Sequence, residues 1–487
     1  MATIAEALAL GLKLHRRGEL PRAESIYREV LAREPQHAEA LHMLGLLALQ
    51  TSRTDEALAM LEQSIAAGPP VAEYVSNLGA AYRTAGRPAD AIGVFDRAIG
   101  LEPRNADLYY NRALALVDLG RLEEAAAGYR RSLELNGNHA LALNNLGDVE
   151  RELGSLGEAL LHLEKALAVD PNYATAHYNR SLVLLSLGRL AEGFAENEWR
   201  LRLTAFKPRN FPQPTWDGSS LPGKTLLVYA EQGLGDTLQL ARYLPLVAAR
   251  CGRVIVEVPK AVLPLLAESG FENLVPHGWA LPWFDAQVSL ASLPHVFGTT
   301  LETIPADVGY LKPSERLVHA WRKELARYDG FKVGIVWQGS PTYRGDRFRS
   351  IPLACFAPLA AVRGARLFSL QKGPGIEQIS ALRNAFSIVD LGSHIDDESG
   401  PFMDTAAIMK NLDLVVSSDT AAAHLAGALD VPVWVALRLS PDWRWLTRRA
   451  DSPWYPGARL FRQTAFGDWR EVFLSMAREL QEKIDAV

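Results

Sequence analysis

The sequence predicts an α-solenoid of about six helical repeats over residues 4–205, followed by an α/β half built from two nucleotide-binding-like lobes. Two observations carry this. Small residues recur with a period of 34, at Ala23, Ala57, Ala91, Ala125 and Ala159, with Gly193 continuing the series. From Lys224 onwards, short apolar runs alternate with helical patterns, the first opening on Glu231-Gln232-Gly233-Leu234-Gly235-Asp236. A run of repeats means stacked supersecondary units; alternating strands and helices mean a parallel sheet covered by helices.

Each repeat reads as two helices. Four residues after each small residue comes Tyr27, Leu61, Phe95, Tyr129, Leu163 and then Asn197. Gly18, Gly86, Gly120, Gly154 and Gly188 mark a turn between the helices, with Ser52 in the second slot. Pro35, Pro69, Pro103 and Pro171 close repeats, and Gly137 stands in the fourth. Small residues let paired helices approach, and the large ones fill the gap. The sixth unit is degraded, with Trp199 and Phe194 appearing, so it is expected to dock on the next domain. A second series, Asn77, Asn111, Asn145 and Asn179, shares one phase on the first helices. Asparagine is a poor helix former, and its amide offers donor and acceptor together. A ladder of such amides suits the backbone of an extended peptide; the alternative is hydrogen bonding between repeats.

Residues 206–223 are rich in Pro and Gly and read as a packed linker, with Phe211 and Trp216 as its anchors. Strands are expected at 225–229, 253–258 and 286–289 in a first lobe, 224–325. A second lobe, 326–465, has strands at 332–337, 366–370, 388–389, 412–417 and 431–435. A final helix at about 468–484 packs back on the lobes. A ligand cleft is expected at the boundary between lobes, off the carboxyl ends of the strands.

The totals exclude several classes. A net charge of -5 leaves no basic footprint for nucleic acid. Cys251 and Cys355 give no disulfide framework, which fits a reducing cytoplasm. No apolar run approaches the length of a membrane span.

The repeats resemble the tetratricopeptide family, and their asparagine series is similar to the ladder of the eukaryotic protein O-GlcNAc transferases. Residues 224–465 resemble GT-B glycosyltransferases, folds of two Rossmann-like lobes, of the heptosyltransferase-like (family 9-like) group. The best-matching pieces are Gly235-Asp236 and the block Ser417-Ser418-Asp419-Thr420-Ala421-Ala422-Ala423-His424-Leu425-Ala426-Gly427. The fusion of the two looks like bacterial protein O-glycosyltransferases, flagellin glycosyltransferases among them.

The resemblance implies a metal-independent, inverting transfer from a nucleotide-sugar to Ser or Thr of a protein held by the solenoid, with no further cofactor. It makes Asp236 the general base. A capping box with Asp236 as N-cap and Gln239 three residues later is the structural alternative. Glu231, on the same loop, is the reserve base. The resemblance places the donor on Gly235, Asp419, Thr420, Ala421 and His424, where small side chains and free N–H groups suit a diphosphate. A structural N-cap at Asp419 is the competing reading. The loop 338–350 carries Arg344, Arg347 and Arg349, and Arg349 aligns best with the cationic position of the resembled family. Lys372, ending the next strand, is a second phosphate candidate beside a plain turn lysine. Asp396-Asp397-Glu398 lacks histidine at ligand spacing, so no metal is expected there.

The acceptor surface is then Asn77, Asn111, Asn145 and Asn179, and the expected partners are a protein acceptor, flagellin included, and a nucleotide-sugar. Two other readings remain: an enzyme acting on a glycan or lipid acceptor, and a non-catalytic repeat scaffold. An epimerase would share the two lobes but has no use for six repeats.

Overall fold

The computed structural model describes residues 3–206, 209–305, 307–343, 345–392 and 395–486. The chain divides into two compact units, Met1–Ala176 and His177–Val487.

The first unit is a run of antiparallel helix pairs: Ile4–Arg16 with Leu20–Arg33, Ala38–Gln50 with Thr54–Ala67, Ala72–Thr84 with Pro88–Leu101, Ala106–Asp118 with Leu122–Leu135, and Ala140–Glu152 with Leu156–Val169. The 34-residue pattern explains the packing. The recurrent alanines and the large residues four positions on are all buried. A further 34-residue series receives the large ones. A Cβ on Gly11, Gly45, Gly79 or Gly147 would come within 2.6, 2.8, 2.7 and 2.7 Å of Tyr27, Leu61, Phe95 and Leu163. Between the paired helices the chain turns through the left-handed region, at Gly18, Gly86, Gly120 and Gly154 and also at Ser52, whose φ is 61°. That conformation costs a residue with a Cβ about 1 kcal/mol.

The second unit begins inside the sixth repeat, whose helices are Ala174–Ser186 and Leu190–Asn197. The six-repeat extent expected for 4–205 and the compact units therefore divide the chain at different places. The reason is packing: Leu185, Leu190 and Phe194 belong to the same core as Leu226, Val228 and Leu238. Phe194 meets Trp443 edge-on at 5.5 Å.

This unit holds two all-parallel sheets. The first has β1 (Leu221–Tyr229), β2 (Cys251–Val258), β3 (Leu274–Pro276) and β4 (Ala286–Ser289), in the order β3-β2-β1-β4. The second has β5 (Phe331–Val336), β6 (Ala365–Ser369), β7 (Val389–Asp390), β8 (Leu414–Ser418), β9 (Val433–Leu437) and β10 (Ala458–Arg462), in the order β10-β9-β8-β5-β6-β7. The sequence pattern misses β3 and β10. β3 has three residues, and β10 alternates apolar residues with Arg459 and Arg462. Helix Arg470–Asp485 lays Val472, Phe473, Met476 and Leu480 on the second sheet's core, at the i, i+3, i+4 spacing of one helix face. One core cluster joins residues of both sheets, Leu226 and Val228 with Val415 and Val433. The lobes are thus fused along a dry seam over part of their boundary. Both cysteines are free thiols. Among the described residues no helix is long and apolar enough to cross a membrane.

Candidate functional site

The first glycine loop ends in helix Leu234–Leu240. Its N-cap is Gly233, so Asp236 is the third helical residue and not the cap. Its Oδ2 accepts the Gly233 N–H at 2.8 Å, closing the turn from inside. Neither Gly233 nor Gly235 has positive φ; Gly233 sits at −71°. Gly235 has another use. A Cβ there would lie 2.9 Å from His424 Cδ2 and 3.4 Å from Ala421 Cα. The missing side chain lets this helix pack directly on helix Ala421–Ala428 of the other lobe.

That second helix follows β8. Thr420 is its N-cap, with extended backbone, and Asp419 is not. The Asp419 carboxylate turns inward and accepts the Trp445 Nε1–H at 2.8 Å. Burial, reinforced by Asp442, pushes its pKa up. His424 Nδ1 lies 3.1 Å from the Tyr455 hydroxyl, and its ring stacks on Trp445. Burial, with Arg444 adding to it, lowers the His424 pKa from 6.5 to about 3. The folded ring is therefore neutral where the unfolded ring is already protonated. Stability from this group is complete above about pH 6.5 and is lost as pH falls towards 3. Relative to a His424→Gln variant, the protein should lose about 1.4 kcal/mol per pH unit in that window. Urea titrations at pH 7 and 5 check this.

Arg444 joins the pieces. Its guanidinium donates to Asp236 Oδ1, to Gln239 and, at 2.8 Å, to Asp442 Oδ1. Burial works against its charge, but Asp442 and Asp236 outweigh burial and hold its pKa above the usual value. In the same exchange Arg444 holds Asp442 low. Asp236 of the first lobe is thus ion-paired to a segment of the second.

Glu231 lies just past the end of β1, facing Arg200 from the end of the sixth repeat. Arg200 is 0% exposed and Glu231 7%. Arg200 Nη2 donates to Glu231 Oε1 at 2.9 Å, to Ser289 at 3.0 Å and to Ser292 at 2.8 Å; Nη1 donates to Glu198 at 2.7 Å. Glu231 Oε2 is buried without a partner.

The second lobe carries a cleft of about 470 Å³ beyond the carboxyl end of β5. Gln338, Tyr343, Asp346, Arg347, Ser350 and Gln378 are among the residues lining it. Arg349 stands beside it, donating to the Asp419 carbonyl at 2.9 Å and to Asp346 Oδ1 at 3.1 Å. Its charge therefore ties the β5 loop to the end of β8. Gln371, past the end of β6, fixes the same loop through the N–H groups of Trp337 and Gln338 and the Gln338 carbonyl. Lys372 does not join this group. Its amine donates to the Ile395 carbonyl at 2.5 Å and to Asp397 Oδ1 at 2.6 Å, so it anchors a neighbouring loop instead of standing ready for phosphate. Asp396, from the acidic run, accepts the Asp404 and Thr405 N–H groups and so caps helix Met403–Met409 from a distance. Among the described residues no cluster could hold a metal ion. Arg344 lies outside the described residues.

The asparagine series occupies equivalent, half-buried places on successive first helices. Asn77 Nδ2 lies 3.2 Å from His42 Nε2, and Asn145 Nδ2 donates to the Tyr110 hydroxyl at 3.2 Å. Both partners stand one repeat earlier, so pairing between repeats is one use of these amides. Asn179 falls in the second unit.

Tetratricopeptide family models match residues 76–140 and 110–167, and a further repeat model matches 147–188. The N-terminal helices are tetratricopeptide repeats. A model described as the middle TPR-like domain of cilia and flagella-associated protein 70 also matches, at 7–95. Protein FlbA of Caulobacter vibrioides is 26% identical over 299 residues, covering 56% of this chain and 48% of that protein. The chain therefore spans about half the length of this curated relative. Solved structures similar to it include YrrB, titled a TPR protein with an unusual peptide-binding site (24% identity, 36% of this chain and 91% of that one, TM-score 0.33). Another is a thermophilic TPR protein of Thermus thermophilus, TTC0263 (26% identity, 38% and 100%, TM-score 0.32).

Sequence reasoning missed Arg200, Gln371 and the pairing of Arg444 with Asp236. Partners 31 and 208 positions apart leave no local signal. The segment Asp442-Trp443-Arg444-Trp445, dense in tryptophan and next to β9, was the readable hint.

Proposed function

We propose that the chain is a glycosyltransferase with a GT-B arrangement of its two lobes. It moves a sugar from a nucleotide donor on the second lobe to a Ser or Thr hydroxyl of a protein, and the repeats supply protein-binding surface. The observation that carries the reading is the grouping at the carboxyl ends of parallel strands: the cleft past β5, Asp419 and Thr420 past β8, and Asp236 past β1, which pairs with Arg444 while the adjacent Trp445 holds Asp419. Ligands in open parallel α/β sheets bind at such ends. In the transfer, the acceptor oxygen forms the new bond to the anomeric carbon as the bond to the diphosphate breaks. Asp236 takes the hydroxyl proton, and Arg347, with Arg349 behind it, offsets charge on the departing diphosphate. Gly235, Ala421 and His424 serve by setting the helix contact that holds Asp236 beside Arg444. Flagellin is one acceptor of the class this reading admits, and the half-buried amides Asn77, Asn111, Asn145 and Asn179 are the proposed peptide contacts.

One observation favours a scaffold instead. The Asp236 and Asp419 carboxylates and the Arg349 guanidinium are all engaged internally. Calorimetric titration with UDP, ADP, CDP and CMP separates the two. The enzyme reading expects one nucleotide to bind at micromolar Kd, with a loss of about tenfold or more in Tyr343→Ala. Binding of none supports the scaffold.

A further inference from the structure

Four residues before each place of the asparagine series stands a position on the same helix face. It holds Glu39 before Met43, Glu73 before Asn77, Asp107 before Asn111 and Leu141 before Asn145. Asp107 is taken up by His139, whose Nε2 lies 3.1 Å from its Oδ1. Glu39 and Glu73 are exposed, and their carboxylates make no hydrogen bond or ion pair among the described residues. Tyr74 stands beside both. It follows Glu73 directly, and its half-buried ring stacks on His42 at 3.9 Å and 14°. His42 lies three residues after Glu39, on the same face of helix Ala38–Gln50. Burial, then Glu39 and Glu73, push the pKa of the Tyr74 hydroxyl up, and no cation offsets them.

The second and third repeats hold few cations here. From Glu34 to Tyr82 the chain has one Lys or Arg, Arg53, and Glu24 and Glu56 engage it at 2.8 and 2.9 Å. Arg83, further along the third repeat's first helix, is engaged by Asp118 at 2.7 Å. Arg33 ends the preceding helix and Arg104 lies in the turn that follows, and neither acts on the Tyr74 hydroxyl. His42 adds a polar need. An amide nitrogen only donates, so Asn77 Nδ2 gives its hydrogen to His42 Nε2, and burial keeps the ring neutral, with a pKa of about 4. Its proton is therefore on Nδ1, a buried donor with no acceptor among the described residues.

We propose that the notch formed by Glu39, Glu73 and Tyr74 takes a lysine or arginine side chain of an extended polypeptide segment lying along the asparagine series. This rests on the repeats being protein-binding surface and not on sugar transfer. A ring beside two unpaired carboxylates suits a cation through ring and charge at once. An acidic segment would meet two like charges, and an apolar one would desolvate both carboxylates without pairing them. A first-turn carboxylate also complements the helix dipole, which accounts for either acid alone and not for the ring they share.

The test uses the full chain labelled with 3-fluorotyrosine, with the Tyr74 resonance assigned from Tyr74→Phe. The probes are a synthetic decapeptide of alternating serine and arginine, its citrulline counterpart, which keeps the shape without the charge, and spermine. The Tyr74 resonance should shift saturably with the arginine peptide and stay fixed with the citrulline peptide. A Glu39→Gln/Glu73→Gln variant should bind the arginine peptide about tenfold more weakly. Both side chains are exposed and unpaired, so the variant keeps its fold, and unmoved resonances of the buried Tyr27 and Tyr129 check this. The proposal is overturned if the Tyr74 resonance does not move with the arginine peptide or if the variant binds it with parent affinity. It is equally overturned if the citrulline peptide or spermine moves the resonance as strongly. No nucleotide-sugar is present in the titration, so it can fail while transfer stands and succeed while transfer fails.

Discussion

Replacing Arg200 with methionine should lower the unfolding free energy of the His177–Val487 unit by about 3–5 kcal/mol, since removing one partner of a buried pair strands the other's charge. Arg200 has no exposed surface, and five side chains, Asn197, Glu198, Glu231, Ser289 and Ser292, accept hydrogen bonds from it. Burial alone would favour loss of its proton, but Glu231 and Glu198 outweigh burial and keep its pKa above normal. Without it, Glu231 has two buried oxygens and no cation. All eleven tryptophans stand at Trp199 or later, so indole fluorescence in urea reports this unit and not the first five repeats. Adding Glu231→Gln to Arg200→Met should restore part of the loss, because the stranded charge is gone. A loss below about 1 kcal/mol in the single variant would mean the cluster is hydrated.

Replacing Asp236 with asparagine should reduce transfer by about 10²–10⁴-fold, the usual contribution of a positioned base. The substitution keeps an oxygen for the Gly233 N–H, and Arg444 keeps Asp442. Nucleotide binding in the cleft past β5 should be unchanged, and the fluorescence-monitored Tm should shift little. That separates a chemical role from a structural one. If asparagine leaves transfer intact, Asp236 is a helix-turn and ion-pair residue only, and Glu231 with its unpartnered Oε2 becomes the group to replace next.

The repeats were legible because stacking imposes a strict register on local sequence. Ala23 and its successors are buried because each faces the same neighbour in every unit. The Gly11, Gly45, Gly79 and Gly147 series obeys the same register but is broken by Ala113, and a helical glycine gives no sign of what fills its space. The strands of both sheets were legible where they are continuous and apolar. The geometry of the candidate site was less so. Asp236 reads as a cap because it precedes a helical pattern, yet the helix begins at Leu234, and only the fold shows its carboxylate folded back on Gly233. Lys372 carries the charge a phosphate would need, but the Ile395 carbonyl and Asp397, more than twenty residues on, take it elsewhere. Which charges meet is decided by long-range packing, and periodicity does not encode it.

Glycoproteomic mass spectrometry of cells carrying the intact gene, the deleted gene and Asp236→Asn tests the proposed transfer of a sugar to protein hydroxyls. A protein whose Ser- or Thr-bearing peptides carry a fixed added mass in the first strain should lose it in both others. An unchanged peptide mass on every protein across the three strains would overturn the proposal.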